Sequence, residues 1–194
     1  MTWVLDLARQ KSAGDESPAL FGVIVYTDVH ANVKKLLRDD DYWKALDELS
    51  GSKWAVFSVR ALRGEWGMPS FPPGTIGMMT MVWKEPAANR ELLSAFALDD
   101  TKDLPSLVVF ALEGEELHRA SVRIDDSSPE AAYRSTREIF VEVASALDKV
   151  PVEQLGSPAA VFASVKSALR THRNWRRIGD GYRVVKELRD WLPF

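Results

Sequence analysis

The run SLVVFAL, residues 106–112, limits the fold more than any other stretch of this chain. Successive side chains of a strand point to opposite faces. A strand that is apolar at nearly every position must therefore be covered on both sides, which places it centrally, between two layers. Pro105 stands at its mouth. Proline cannot donate a ladder hydrogen bond, which confines it to the first residue of a strand.

After the EGEE turn, residues 117–124 read as the returning strand of a hairpin. Ala120, Val122 and Ile124 alternate with Arg119, Ser121 and Arg123, one set on each face. Upstream, FGVIVYTD reads as a buried strand over 21–27, and KWAVFSVRAL as a second over 53–62. Between them Val29, Val33, Leu36/Leu37, Trp43, Leu46 and Leu49 recur at three- and four-residue steps, the stripe of a helix that stops at Gly51. The run Asp39-Asp40-Asp41 divides that helix, with one Asp capping a second helix at Tyr42. Strand, helix, strand makes a βαβ unit with parallel strands.

Residues 63–75, with three Gly and three Pro, read as a loop. Residues 76–83 read as a strand, and 88–98 as a short helix with Leu92, Leu93 and Phe96 inward. Ser128-Pro129-Glu130 is a helix start: a capping Ser, Pro at the first helical position and an acid in the first turn. That helix runs to about Lys149 and buries Tyr133, Ile139/Phe140, Val143 and Leu147. Ser157-Pro158 opens another, striped by Val161/Phe162, Val165 and Leu169, and Asp180 caps a last one after the Gly179–Gly181 break.

Three segments follow: a lead-in over 1–19, an α/β domain over 20–150 with a central mixed sheet, and a helical pair over 151–194. Charge divides along the same line. Residues 1–150 hold 17 Lys and Arg against 24 Asp and Glu, whereas 151–194 hold 8 against 4. A basic tail on an acidic body suits nucleic acid or an acidic partner, and it equally suits docking onto its own body.

The absence of cysteine removes disulfides, thiolate nucleophiles, thiolate zinc sites and thiol redox chemistry. No apolar run approaches the ~20 residues of a membrane helix, so no membrane is expected. Asp6 and the lack of a small-residue cleavage pattern argue against a secretory signal, and the expected location is cytoplasmic. Nucleotide-binding glycine loops and a Gly-X-Ser-X-Gly elbow are missing. No cofactor is expected.

The order βαβ, then α, then ββα with proline entering the first hairpin strand, resembles the thioredoxin-like fold. The residues that carry the resemblance are VIVYTD and NRELLSAFALDDTKDLPSLVVFALEGEELHRASVRI with the helix that follows, over roughly residues 20–149. The resemblance implies a cis Leu104–Pro105 bond facing the start of the first helix. It also implies an exposed Leu104 backbone that docks extended peptides through strand-like hydrogen bonds. The chain departs from the family at Val29-His30-Ala31-Asn32-Val33, where the redox cysteines would stand.

A second, local likeness lies in VIVYTDVHAN. Asp28 and His30 at a strand tip resemble the first motif of calcineurin-like metallophosphoesterases, whose Asp and His bind metal. The further motifs of that family have no counterpart among the remaining residues His118 and His172, and no metal ligand is assigned. The plainer reading is that Asp28 or Asn32 caps a helix, whose start could hold a small anion.

Candidate partner-binding residues fall in three places. Trp66, Met68 and Phe71 are large apolar side chains in the Pro/Gly-rich loop, suited either to binding or to covering a sheet edge. Leu104 and Pro105 form the proposed docking edge. Arg173, Trp175, Arg176 and Arg177 interleave cations with an aromatic ring, the pattern of phosphate contact with base stacking, or of a solvated helix face. The expected function is thus a non-catalytic, redox-inactive thioredoxin-like module that recognises a protein or peptide. Nucleic-acid binding through the tail is the alternative, and a hydrolase centred on Asp28 and His30 the next. Whether it self-associates is left open.

Overall fold

The computed structural model describes residues 18, 20–51, 53–62, 65–67, 82–84, 87–99, 102–114, 116–170 and 175–176. The expected lead-in over 1–19 apart from Pro18, most of the strand over 76–83 and the last helix after Asp180 lie outside them.

An α/β architecture with a mixed sheet is present. Strand β1 (Leu20–Tyr26) pairs in parallel with β2 (Trp54–Arg60), from Leu20 opposite Trp54 to Tyr26 opposite Arg60. On its other side it runs antiparallel to β5 (Ser106–Glu113), which forms a hairpin with β6 (Glu116–Arg123). The sheet order is β2-β1-β5-β6, with the short strand β7 (Trp175–Arg176) beyond β6. Two central strands therefore carry the apolar runs, as their two-sided hydrophobicity requires.

The crossover from β1 to β2 is two helices, α1 (Ala31–Leu36) and α2 (Asp40–Ser50), divided where the acidic run stands. Asp39 caps α2, its Oδ1 accepting from the N–H groups of Asp41 and Tyr42. Val33, Leu36 and Leu46 are buried, but Val29 is not on the helix stripe: it lies in the turn before α1, half exposed. The two-strand ribbon β3 (Glu65–Gly67) and β4 (Val82–Lys84) sets Trp66 opposite Trp83. A strand thus occupies part of the expected loop, where an aromatic residue that favours extended backbone sits among Gly and Pro.

The sheet has a core on each face. On one, Leu20, Ile24, Leu107, Val109, Val122 and Ile124 meet α1, α2, α4 (Pro129–Asp148) and α5 (Pro158–Leu169). Trp54 is buried there against Phe140, their ring centroids 4.6 Å apart. Gly22 makes room for it, since a Cβ at that position would meet the indole at 3.0 Å. On the other face Phe21, Val23, Val108 and Phe110 meet α3 (Ala87–Phe96), with the Phe21 ring stacked on Phe110 and the Phe96 ring tilted against it.

Two details depart from the alternation rule. Arg119 and Ser121, on the polar side of β6, are buried. The guanidinium of Arg119 donates to the Ala95 carbonyl at the end of α3, where a cation complements the helix dipole. Beyond α5, Trp175–Arg176 is a short strand, β7, paired antiparallel with β6, where helix was expected. Edge pairing of backbone groups has overridden the helical pattern of the tail there.

Candidate functional site

The carboxyl end of β1 turns into α1 over Thr27, Asp28, Val29 and His30. His30 N–H donates to the Thr27 carbonyl at 3.1 Å, which closes the turn. The imidazole then folds back on it: Nδ1 accepts the Thr27 N–H at 3.0 Å, with the Thr27 hydroxyl at 3.1 Å. His30 therefore folds back onto the turn that precedes α1.

The Leu104–Pro105 peptide bond is cis. Leu104 is buried at 2% exposure and Pro105 is buried beside it. The expectation of an exposed Leu104 backbone is corrected, because the residue, backbone included, is buried at the mouth of β5. The Pro105 carbonyl is taken as well, accepting from Ile124 N–H at 2.9 Å.

His30 and Pro105 line one side of a cavity of about 350 Å³, and Arg123, Ile124, Asp125, Asp126 and Ser127 line the other. Asp126 reaches across to α1. Its Oδ1 accepts Val33 N–H at 2.7 Å, and its carbonyl accepts from the Asn32 side chain at 2.7 Å. Neither Asp28 nor Asn32 caps α1, and the helix start is not open to an anion. A carboxylate 93 residues further along the chain already fills it.

Electrostatics follow from this packing. Burial pushes the His30 pKa down, and Arg123 adds to the effect, while the Asp126 carboxylate opposes it. Acceptance of an N–H at Nδ1 likewise requires the neutral ring there. Asp28 points away: Lys34 Nζ lies 2.5 Å from its Oδ1 and an Arg60 nitrogen 3.5 Å away. Its hydrogen bond to Lys34, with the charges of Arg60 and Arg38, holds the carboxyl below its usual range. Asp28 and His30 are thus committed to separate partners rather than converged on a common point. Among the described residues no group of three or more His, Cys, Asp or Glu side chains is placed to hold a metal ion.

The other sequence-based candidates are dispersed. Trp66 lies on β3, and Trp175 and Arg176 on β7, while Met68, Phe71, Arg173 and Arg177 lie outside the described residues. Of the candidates, Leu104, Pro105 and His30 come together. Thr27, Arg123 and Asp126 complete that corner and carried no motif; Asp125-Asp126 before Ser128 reads only as a turn. Among the described residues no helix is long and apolar enough to cross a membrane. Comparison of the chain with protein-family models, with curated proteins and with solved structures finds no match.

Proposed function

We propose that this chain is a redox-inactive, thioredoxin-like module that binds an extended segment of a protein or peptide partner without catalysing a reaction. The observation that carries the reading is the place of His30. The turn into α1, where the resemblance puts redox thiols, faces the Leu104–Pro105 loop and carries an imidazole and no sulfur. The sheet order, with β1 flanked by parallel β2 and antiparallel β5, supports the same scaffold. Recognition would use the cavity beside the cis Leu104–Pro105 bond, with Pro105, Arg123 and Asp125 in its lining setting side-chain preference.

Selection of phage-displayed peptides on the full chain tests this. The expected result is a consensus peptide whose titration moves the amide signals of residues 27–33, 103–106 and 123–127. Lack of any enriched peptide, or shifts confined to other surfaces, removes the proposal.

A further inference from the structure

We propose that the groove at the carboxyl end of the parallel strands β1 and β2 is a second binding site, and that it takes the dianion of a phosphate monoester. The site is separate from the cavity at Pro105 and does not depend on the docking reading above.

Three elements meet there. The turn after β1 supplies Asp28, the end of α1 and its link to α2 supply Lys34, Lys35 and Arg38, and Arg60 is the last residue of β2. The groove has a volume of about 450 Å³, and Asp28, Ala31, Lys34, Lys35, Arg38 and Asp39 line it. Ligands of open α/β sheets bind outside the carboxyl ends of the strands, and the parallel pair β1 and β2 ends here.

The dipole of α1 explains only part of this cluster. Carbonyls at the end of a helix favour cations in its last turn, which suits Lys34 and Lys35. Arg60 comes from a strand, and that account does not reach it.

Charge accounting selects the ligand. Asp28 Oδ1 lies 2.5 Å from Lys34 Nζ and 3.5 Å from an Arg60 nitrogen, so one carboxylate fixes two cations from different elements. Asp39 is committed to α2, where its Oδ1 accepts the first N–H groups. Among the described residues no carboxylate forms an ion pair with Lys35 or Arg38. Four cations against two carboxylates leave a surplus of two positive charges, on a body in which acids outnumber bases. Glu130 of α4 lies in the field of Lys35, and Arg134 of the same helix offsets it.

A surplus of two suits a dianion better than a carboxylate or a phosphodiester, each of which carries a single charge. The guanidinium of Arg38 offers paired N–H donors that match two phosphate oxygens, and Lys35 adds a compact charge beside it. Ala31, with only a methyl group, leaves space in the groove for whatever bears the phosphate.

The full ¹⁵N-labelled chain, titrated with methyl phosphate and with dimethyl phosphate at constant ionic strength, tests the site. Near pH 8 the first is doubly charged and the second singly. Methyl phosphate should move the amide signals of residues 34–38 and 60 saturably, and should bind at least about tenfold more tightly than the diester, as the loss of one charged hydrogen bond implies. Lys35→Gln combined with Arg38→Gln should weaken it by about tenfold or more, with an unchanged urea midpoint because both side chains are exposed. Lys149→Gln, at the far end of α4, should leave the affinity as it was.

Shifts that fail to saturate, equal affinity for the diester, or an equal loss in Lys149→Gln overturn the site. A capped phosphoserine peptide identifies the source. Tighter binding than methyl phosphate assigns the groove to a phosphorylated side chain of a partner, and equal or weaker binding assigns it to a small phosphate ester. Phage-displayed peptides carry no phosphate, so failure of that selection removes the docking reading and leaves this site standing.

Discussion

Two helices begin beside one another in this molecule, and they begin by different rules. Helix α4 starts with everything local: the Ser128 hydroxyl accepts Ala131 N–H at 3.1 Å and Pro129 occupies the first turn. Helix α1 starts at His30, whose side chain makes no cap, and the N–H of Val33 in its first turn is met by Asp126 from a distant loop. The local cap keeps Ser128 within the first turn of α4, beside Glu130. The remote cap frees the residue at the start of α1 to turn back over Thr27. A helix start that departs from the local rule is where this fold has room for function.

If burial fixes α4 and polar contacts fix α1, substitutions should separate them by size. Phe140→Ala removes a ring buried against Trp54 and should cost about 3–5 kcal/mol in urea denaturation. A cost near that of a surface change would break the contrast. Asp126→Ala should follow at about 2 kcal/mol, since it strands a charge-assisted backbone N–H, against about 1 kcal/mol for Ser128→Ala. Hydrogen exchange should localise the first loss to Val33 and its neighbours in α1. Equal costs with no local loss of protection would mean that the remote cap is incidental.

The same division explains what could be read before any coordinates. Caps at Asp39, Ser128 and Ser157, the two-sided runs of β1 and β5, and the stripe Val161–Leu169 all depend on neighbours within a few residues. They were legible. Burial of Arg119 was not, because its acceptor, the Ala95 carbonyl, is 24 residues away on another element. Nor was the closure of the α1 start by Asp126, 93 residues further along the chain from Val33. Only the fold brings them into contact. The strand at Trp175–Arg176 was hidden for the same reason: its pairing partner is β6.

Helix ends sharpen the comparison further. Helix α2 ends at Gly51, φ 61°, as glycine readily allows. After α3, Ala97 adopts φ 48°, while Leu98 N–H reaches the Leu93 carbonyl at 2.8 Å and Ala97 N–H that of Ser94 at 3.0 Å. This is a Schellman end with an alanine in the glycine position. Ala97→Gly should therefore stabilise the chain by about 1 kcal/mol, read as a raised denaturation midpoint. Destabilisation instead would show that the methyl group contributes more than its backbone conformation costs.

The smallest effect expected is with pH, because a single half-buried ring carries it. His30 has a folded-state pKa below its ordinary value, which in the unfolded chain is about 6.5. Above about pH 6.5 the ring is neutral in both states, and stability does not respond. Below that value the unfolded chain takes up a proton that the folded ring resists, so stability falls as pH drops through the window and levels off under the folded pKa. Carboxylates such as Asp28, also depressed, lose their contribution only at lower pH. Urea midpoints of the parent chain should thus decline between about pH 7 and about pH 5 more steeply than those of His30→Gln, the difference isolating this one ring. Parallel declines would mean that the corner at α1 holds its histidine no differently from a solvated one.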